Sequence, residues 1–107
     1  MIRIFIGYDN NEKVAFSTLS HRLLKHSTQP ISITPIRLEN IKDIFVRERL
    51  KIQSTEFAFS RFLVPYLCNY SGHAIFMDCD MLARANIAEL WRLRTTKYAV
   101  QCVQHDY

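Results

Sequence analysis

The sequence predicts an α/β fold built on a mostly parallel sheet. Three observations carry this expectation. Short β-rich apolar runs alternate with stretches of helical periodicity along the whole chain. One of those runs, Ala74-Ile75-Phe76-Met77, is apolar on both faces, as a central parallel strand requires. With 2 glycines, 3 prolines and 12% aromatic residues, the composition is that of a packed domain and excludes disorder.

The elements follow in order. Ile2-Arg3-Ile4-Phe5-Ile6 is the first strand, and Gly7 is expected to allow a tight exit from it. Asn10 or Asn11 supplies a helix cap, and Glu12 suits the positive first turn. Phe16, Leu19 and Leu23 recur at helical spacing, with Lys25 and His26 in the last turn. Ile31, Ile33 and Ile36 mark a second strand. Pro35 has no N–H for a ladder, so this strand is expected at an edge or finishing there.

Residues 37–53 are mixed and charged and carry no clear pattern. Ser54 can cap a second helix through Phe57, Phe62, Leu63, Tyr66 and Leu67, which Pro65 should bend. Asn69 and Gly72 bracket the turn into the apolar strand 74–77. Ile87 to Leu93 reads as a short helix carrying Trp91, and Tyr98 to Val103 as a fourth strand. The order β-α-β-(x)-α-β-α-β implies right-handed crossovers and a Rossmann-like three-layer sandwich.

At 107 residues the chain is a single domain, 1–107, that buries roughly two-thirds of its unfolded surface. Fourteen Lys and Arg against ten Asp and Glu leave a net charge of +4, which permits anionic partners and selects none. Cys68, Cys79 and Cys102 form no CxxC pair, and their odd number argues against a disulfide scaffold. No run approaches 18 apolar residues, so no transmembrane helix is expected. The opening Met1 to Gly7 is too short and strand-like for a signal peptide, and a reducing cytoplasm is the expected compartment.

Ligands of parallel sheets bind at the carboxyl ends of the strands. Two segments stand there. Asp78-Cys79-Asp80 directly follows the apolar strand. Two carboxylates one residue apart repel each other, and an oxygen-seeking Mg²⁺ or Mn²⁺ resolves that repulsion while bridging to phosphate. Set against this, Asp is common at strand-end turns. Gly7-Tyr8-Asp9-Asn10 follows the first strand. Tyr8 could stack on a base and Asp9 could accept a hydrogen bond from a base or ribose, although a turn and a cap explain the same residues. Arg61 lies in an otherwise apolar helix and needs an anion: Glu56, an aspartate or a diphosphate. No GxGxxG or P-loop pattern is present. Arg47, Arg49 and Lys51 are interrupted by Glu48 and read better as a solvated face than as a phosphate or nucleic-acid patch. His105-Asp106-Tyr107 is either an active-site edge or a tail. His21, His26 and His73 show no ligand spacing and read as surface or capping residues.

Three ordered segments carry a family resemblance. They are Ile4-Phe5-Ile6-Gly7-Tyr8-Asp9, Ser54 to Leu67 with Ser60-Arg61-Phe62-Leu63-Val64-Pro65-Tyr66, and Ala74 to Asp80. The set resembles bacterial glycosyltransferases of the GT-A fold, close to glycosyltransferase family 8, over essentially the whole chain. The resemblance implies the N-terminal half of that fold. It implies a DxD motif in which Asp78 and Asp80 hold Mn²⁺ or Mg²⁺ against the diphosphate of a nucleotide-sugar, a UDP-sugar above all. Gly7, Tyr8, Asp9, Asn10, Arg61 and Cys79 would complete the donor site. The family's second half, with the acceptor site and usually a metal-binding histidine, has no counterpart before Tyr107. Ala85-Asn86 also replaces a more acidic stretch. A donor-binding unit without sugar transfer is therefore implied, completed by a second half or by self-association, with Trp91 or a sheet edge exposed. The competing expectation is a non-catalytic binding or dimerising module. A phosphatase of the haloacid dehalogenase type fits less well, because Leu82 stands where an alcohol is needed. Nucleic-acid binding rests on charge alone.

Overall fold

The structure is a computed structural model and describes residues 1–37 and 56–104. Ser54, the cluster Arg47, Arg49 and Lys51, and the terminal His105, Asp106 and Tyr107 lie outside the described residues. Strand β1, Ile2–Gly7, leads through a 3₁₀ turn, Asn10–Glu12, into helix α1, Lys13–His26. Strand β2 is Ile31–Ile36. A 3₁₀ helix, Glu56–Leu63, runs into the single α turn α2, Val64–Leu67. Strand β3, Ile75–Asp78, and the short helix α3, Ala88–Trp91, complete the elements.

The three strands form one parallel sheet in the order β2-β1-β3, the small α/β arrangement of Rossmann-like folds. β1 is therefore the central strand of the described sheet, and β3 lies beside it rather than at the centre as its composition predicted. The reason is that both ladders fall on β1, whose Ile2, Ile4 and Ile6 are completely buried. Composition reports burial of faces and not the order of strands. Pro35 sits on the edge strand as expected. The bonds Ile2 N–H to Pro30 O and Tyr8 N–H to Ile36 O show that even-numbered positions of β2 face β1. Pro35 therefore turns its missing donor outward, where the ladder loses nothing.

The pleat sorts the side chains. One face gathers Ile2, Ile4, Ile6 and Met77 with Leu19 and Leu23 of α1 and Ile87 and Ala88 at α3. Each large aliphatic side chain removed from water there contributes about 1.5–3 kcal/mol. On the other face Phe5 is buried, and the 56–63 helix covers β1 with Ser60 and Leu63 turned inward.

Five local expectations are corrected. The cap at the start of the 3₁₀ turn is Asp9, which accepts the Asn11 N–H at 2.9 Å, and not Asn10 or Asn11. Gly7 is the last residue of β1 and has no positive φ; that freedom is used at Gly72, φ 76°. Pro65 does not bend a long helix. It stands in the first turn of α2, where a missing N–H has no intrahelical partner to lose. Residues 98–103 form no strand, and Tyr98, Val100 and Val103 are exposed. Their β-rich composition is not enough, because a strand also needs a ladder partner. Trp91 is not laid bare either: it packs on the core, and the Arg94 guanidinium lies 4.5 Å above its ring.

The turn from α2 to β3 is tied to the sheet from the start of the chain. Arg3 donates through Nε to His73 O at 3.0 Å and through Nη2 to Ser71 O at 2.6 Å. His73 itself lies against Trp91, with its Nε2 3.4 Å from Thr95 O.

Candidate functional site

Parallel strands end at one edge, so the residues that follow them are gathered there. The register places Ile36, Gly7 and Asp78 in one row across β2, β1 and β3. Arg37, Tyr8 and Cys79 come one step beyond that row. Successive side chains alternate between faces. Asp78 accordingly shares a face with Phe76 and with the 56–63 helix, while Cys79 turns into the core on the α1 side. Asp80 comes out into solvent.

Asp78 meets Arg61. The Arg61 Nη2 donates to Asp78 Oδ1 at 3.3 Å, with the side chains 47% and 39% exposed. The guanidinium also lies 5.4 Å over the Phe76 ring. The expected anion is thus an aspartate of the triplet, and the arginine is half in water instead of buried. A single-contact pair this exposed contributes about 0–1 kcal/mol to stability.

Cys79 and Asp9 have internal partners. The Cys79 thiol is fully buried and donates to Glu12 Oε2 at 3.0 Å. Burial, and then the Glu12 hydrogen bond, push this thiol up to about 12. Asp9 is 4% exposed and spends Oδ1 on the cap, while its carbonyl accepts the Glu12 N–H at 2.9 Å. Together these bonds fasten the β1–α1 loop to the end of β3. Asn10 opens the 3₁₀ turn, half-buried. Tyr8 packs edge-on against Phe16 at 5.3 Å, and the Arg37 guanidinium lies 5.5 Å from its ring centre. Arg37 at this edge was missed in the sequence. Its place directly after the second strand was the available signal.

The donor set determines which cation could be held. Glu12 and Asp9 are engaged inside the fold, so the carboxylates of this edge that reach water are the half-exposed Asp78, paired with Arg61, and the exposed Asp80. No cluster of three metal-ligating side chains occurs among the described residues. Two carboxylates fit Mg²⁺ or Mn²⁺, which keep several waters and complete their shell with phosphate oxygens. They do not fit zinc, which takes three or four protein ligands.

The chain is similar to Protein CDI of Arabidopsis thaliana, with 50% identity over 107 residues, covering 98% of this chain and 41% of that protein. It thus spans about two-fifths of the length of the curated relative it matches. No family model matches the chain, and no solved structure matches it. These findings overturn the resemblance to glycosyltransferase family 8. The triplet is not that family's DxD signature, and the chain is not assigned as half of a GT-A enzyme; short strand-end motifs recur wherever parallel sheets end in acidic turns. The chemistry of Asp78 and Asp80 therefore stands on geometry alone. Among the described residues, no helix is long and apolar enough to cross a membrane.

Proposed function

We propose that the carboxyl edge of this sheet binds a nucleoside diphosphate ligand, with a nucleotide-sugar such as a UDP-sugar as the favoured class, through Mn²⁺ or Mg²⁺ held by Asp78 and Asp80. The observation that carries this reading is the placement of Arg61 against Asp78, next to the exposed Asp80, at the ends of parallel strands. A cation site and an anion-seeking guanidinium side by side are complementary to a metal diphosphate. When bound, the cation neutralises phosphate charge. Asp78 and Asp80 hold it, and Arg61 faces the phosphate oxygens. Tyr8 and Arg37 border the nucleoside end. A reducing cytoplasm is the proposed compartment, supported by the free state of Cys68, Cys79 and Cys102.

A thermal-shift titration tests this with UDP, with and without Mn²⁺, on the wild type and Asp80→Ala. A ligand that binds the folded state raises Tm by mass action. The expected result is a rise that needs UDP and Mn²⁺ together and is lost in Asp80→Ala. A folded protein that ignores both ligands overturns the reading.

The second reading is a binding or self-associating module. The outward-facing Phe62, Tyr66 and Tyr70, exposed by 70%, 51% and 75%, favour it. A stable dimer in light scattering, together with no response to UDP and Mn²⁺, would select it.

A further inference from the structure

We propose that Arg61 is an exchangeable counter-ion. It neutralises Asp78 in the ligand-free chain, yields that carboxylate to a divalent cation, and passes to the anionic part of the ligand. Cation and diphosphate then bind cooperatively, because neither completes the exchange alone. This inference rests on the cation and diphosphate reading above.

The ion pair has the properties such an exchange needs. Its contact is a single one, Nη2 to Oδ1 at 3.3 Å, instead of the two-pronged arrangement that arginine makes when it clasps a carboxylate. Both partners are open to water, so separating them costs little. Asp78 Oδ1, the atom that Arg61 occupies, is also an atom a cation at Asp78 and Asp80 would compete for. Once a cation sits there, the guanidinium faces a like charge at close range, and an anion between the two relieves that repulsion.

The arginine cannot simply leave. Ser60 is completely buried and Leu63 nearly so, which holds the backbone on both sides of Arg61 against the sheet. Phe76 stands two residues before Asp78 on the same face, and its ring lies under the guanidinium at 5.4 Å. A released Arg61 head therefore stays over Phe76, beside the cation and within reach of its anion. Asp80 has its carboxylate in solvent and supplies the second cation ligand.

The coupling is read with Mn²⁺ and UDP as probes. Free Mn²⁺ is followed by electron paramagnetic resonance, with and without UDP, in the wild type, Arg61→Gln and Arg61→Lys. Circular dichroism establishes that each variant is folded. Arg61→Gln removes the resident competitor and is expected to bind Mn²⁺ alone about two- to fivefold more tightly, the span of a half-exposed ion pair. The factor by which UDP tightens Mn²⁺ binding should fall about fivefold or more in the same variant. By linkage, the factor by which Mn²⁺ tightens UDP binding falls equally. Arg61→Lys keeps the charge and should stay near the wild type for Mn²⁺ alone. A merely structural Arg61 would leave the affinity for Mn²⁺ alone unchanged or weaker in Arg61→Gln. That result, with Mn²⁺ and UDP still binding the wild type, overturns the exchange while sparing the site. A wild type that binds no Mn²⁺ with UDP overturns both.

Discussion

Replacing Gly72 by alanine tests how the turn into β3 is held. Gly72 adopts φ 76°, a left-handed conformation that costs an L side chain about 1–2 kcal/mol. An added Cβ would also lie 2.7 Å from Arg3 Nη2. That atom is the far end of a flexible side chain, so the clash is relieved by swinging the guanidinium. The swing forfeits the 2.6 Å hydrogen bond to Ser71 O, which lies in water and contributes about 0.5–1.5 kcal/mol. Gly72→Ala should therefore destabilise the domain by about 2–3 kcal/mol, a fall in Tm of roughly 10–20 °C for a domain of this size. Urea unfolding of Gly72→Ala, Arg3→Ala and the double variant separates the two contributions. With Arg3 already gone, the glycine substitution should cost only the backbone part, leaving a coupling of about 1 kcal/mol. Costs that add within about 0.3 kcal/mol would refute the Arg3 part of the reasoning. A Gly72→Ala protein within about 0.5 kcal/mol of wild type would refute the backbone part as well.

Three further outcomes follow from the bonds at the sheet edge and from the burial of the cysteines. The folded Cys79 thiol is pushed up to about 12 from an ordinary 9.0, so the folded state keeps its proton longer than the unfolded state. Stability present below pH 9 should thus be lost as pH rises from 9 towards 12, and the slope of Tm against pH in that window should be shallower in Cys79→Ala. At pH 8 a thiol reagent should label the exposed Cys102 in the native protein and reach Cys79 only on unfolding; equal rates would contradict the burial. Asp9→Ala removes the cap on the Asn11 N–H and should cost about 0.5–2 kcal/mol by urea unfolding, whereas Asp9→Asn should retain most of that stability.

The comparison between sequence and structure divides along the range of the interactions. Phe16, Leu19 and Leu23 announced α1 because a helix repeats within four residues, and the structure buries Leu19 and Leu23 as that period requires. The strand at 74–77, found at Ile75–Asp78, and the short helix carrying Trp91 were legible on the same local grounds. The cap was not, because Asp9, Asn10 and Asn11 are chemically interchangeable there. Only the position at which β1 ends decides among them. Tyr98 to Val103 matched a strand in composition and still failed, since β structure depends on a partner that propensity does not name. The family resemblance failed for a related reason. Its motifs were short segments at strand ends, and such segments describe a kind of sheet edge more than a particular lineage.

Local chemistry thus established the α/β alternation, the edge position of β2 through Pro35, and the place of Asp78 and Asp80 after an apolar strand. The tertiary structure decided what those carboxylates stand among. It brought Arg61 to Asp78 across 17 positions of sequence and Cys79 to Glu12 across 67. It also made β1 the central strand and put Arg37 on the same edge as Tyr8. Periodicity within one segment tells which face of that segment is buried. Which segments meet is determined by the parallel pairing of distant strands, and the residues of the proposed site are gathered only where those strands end.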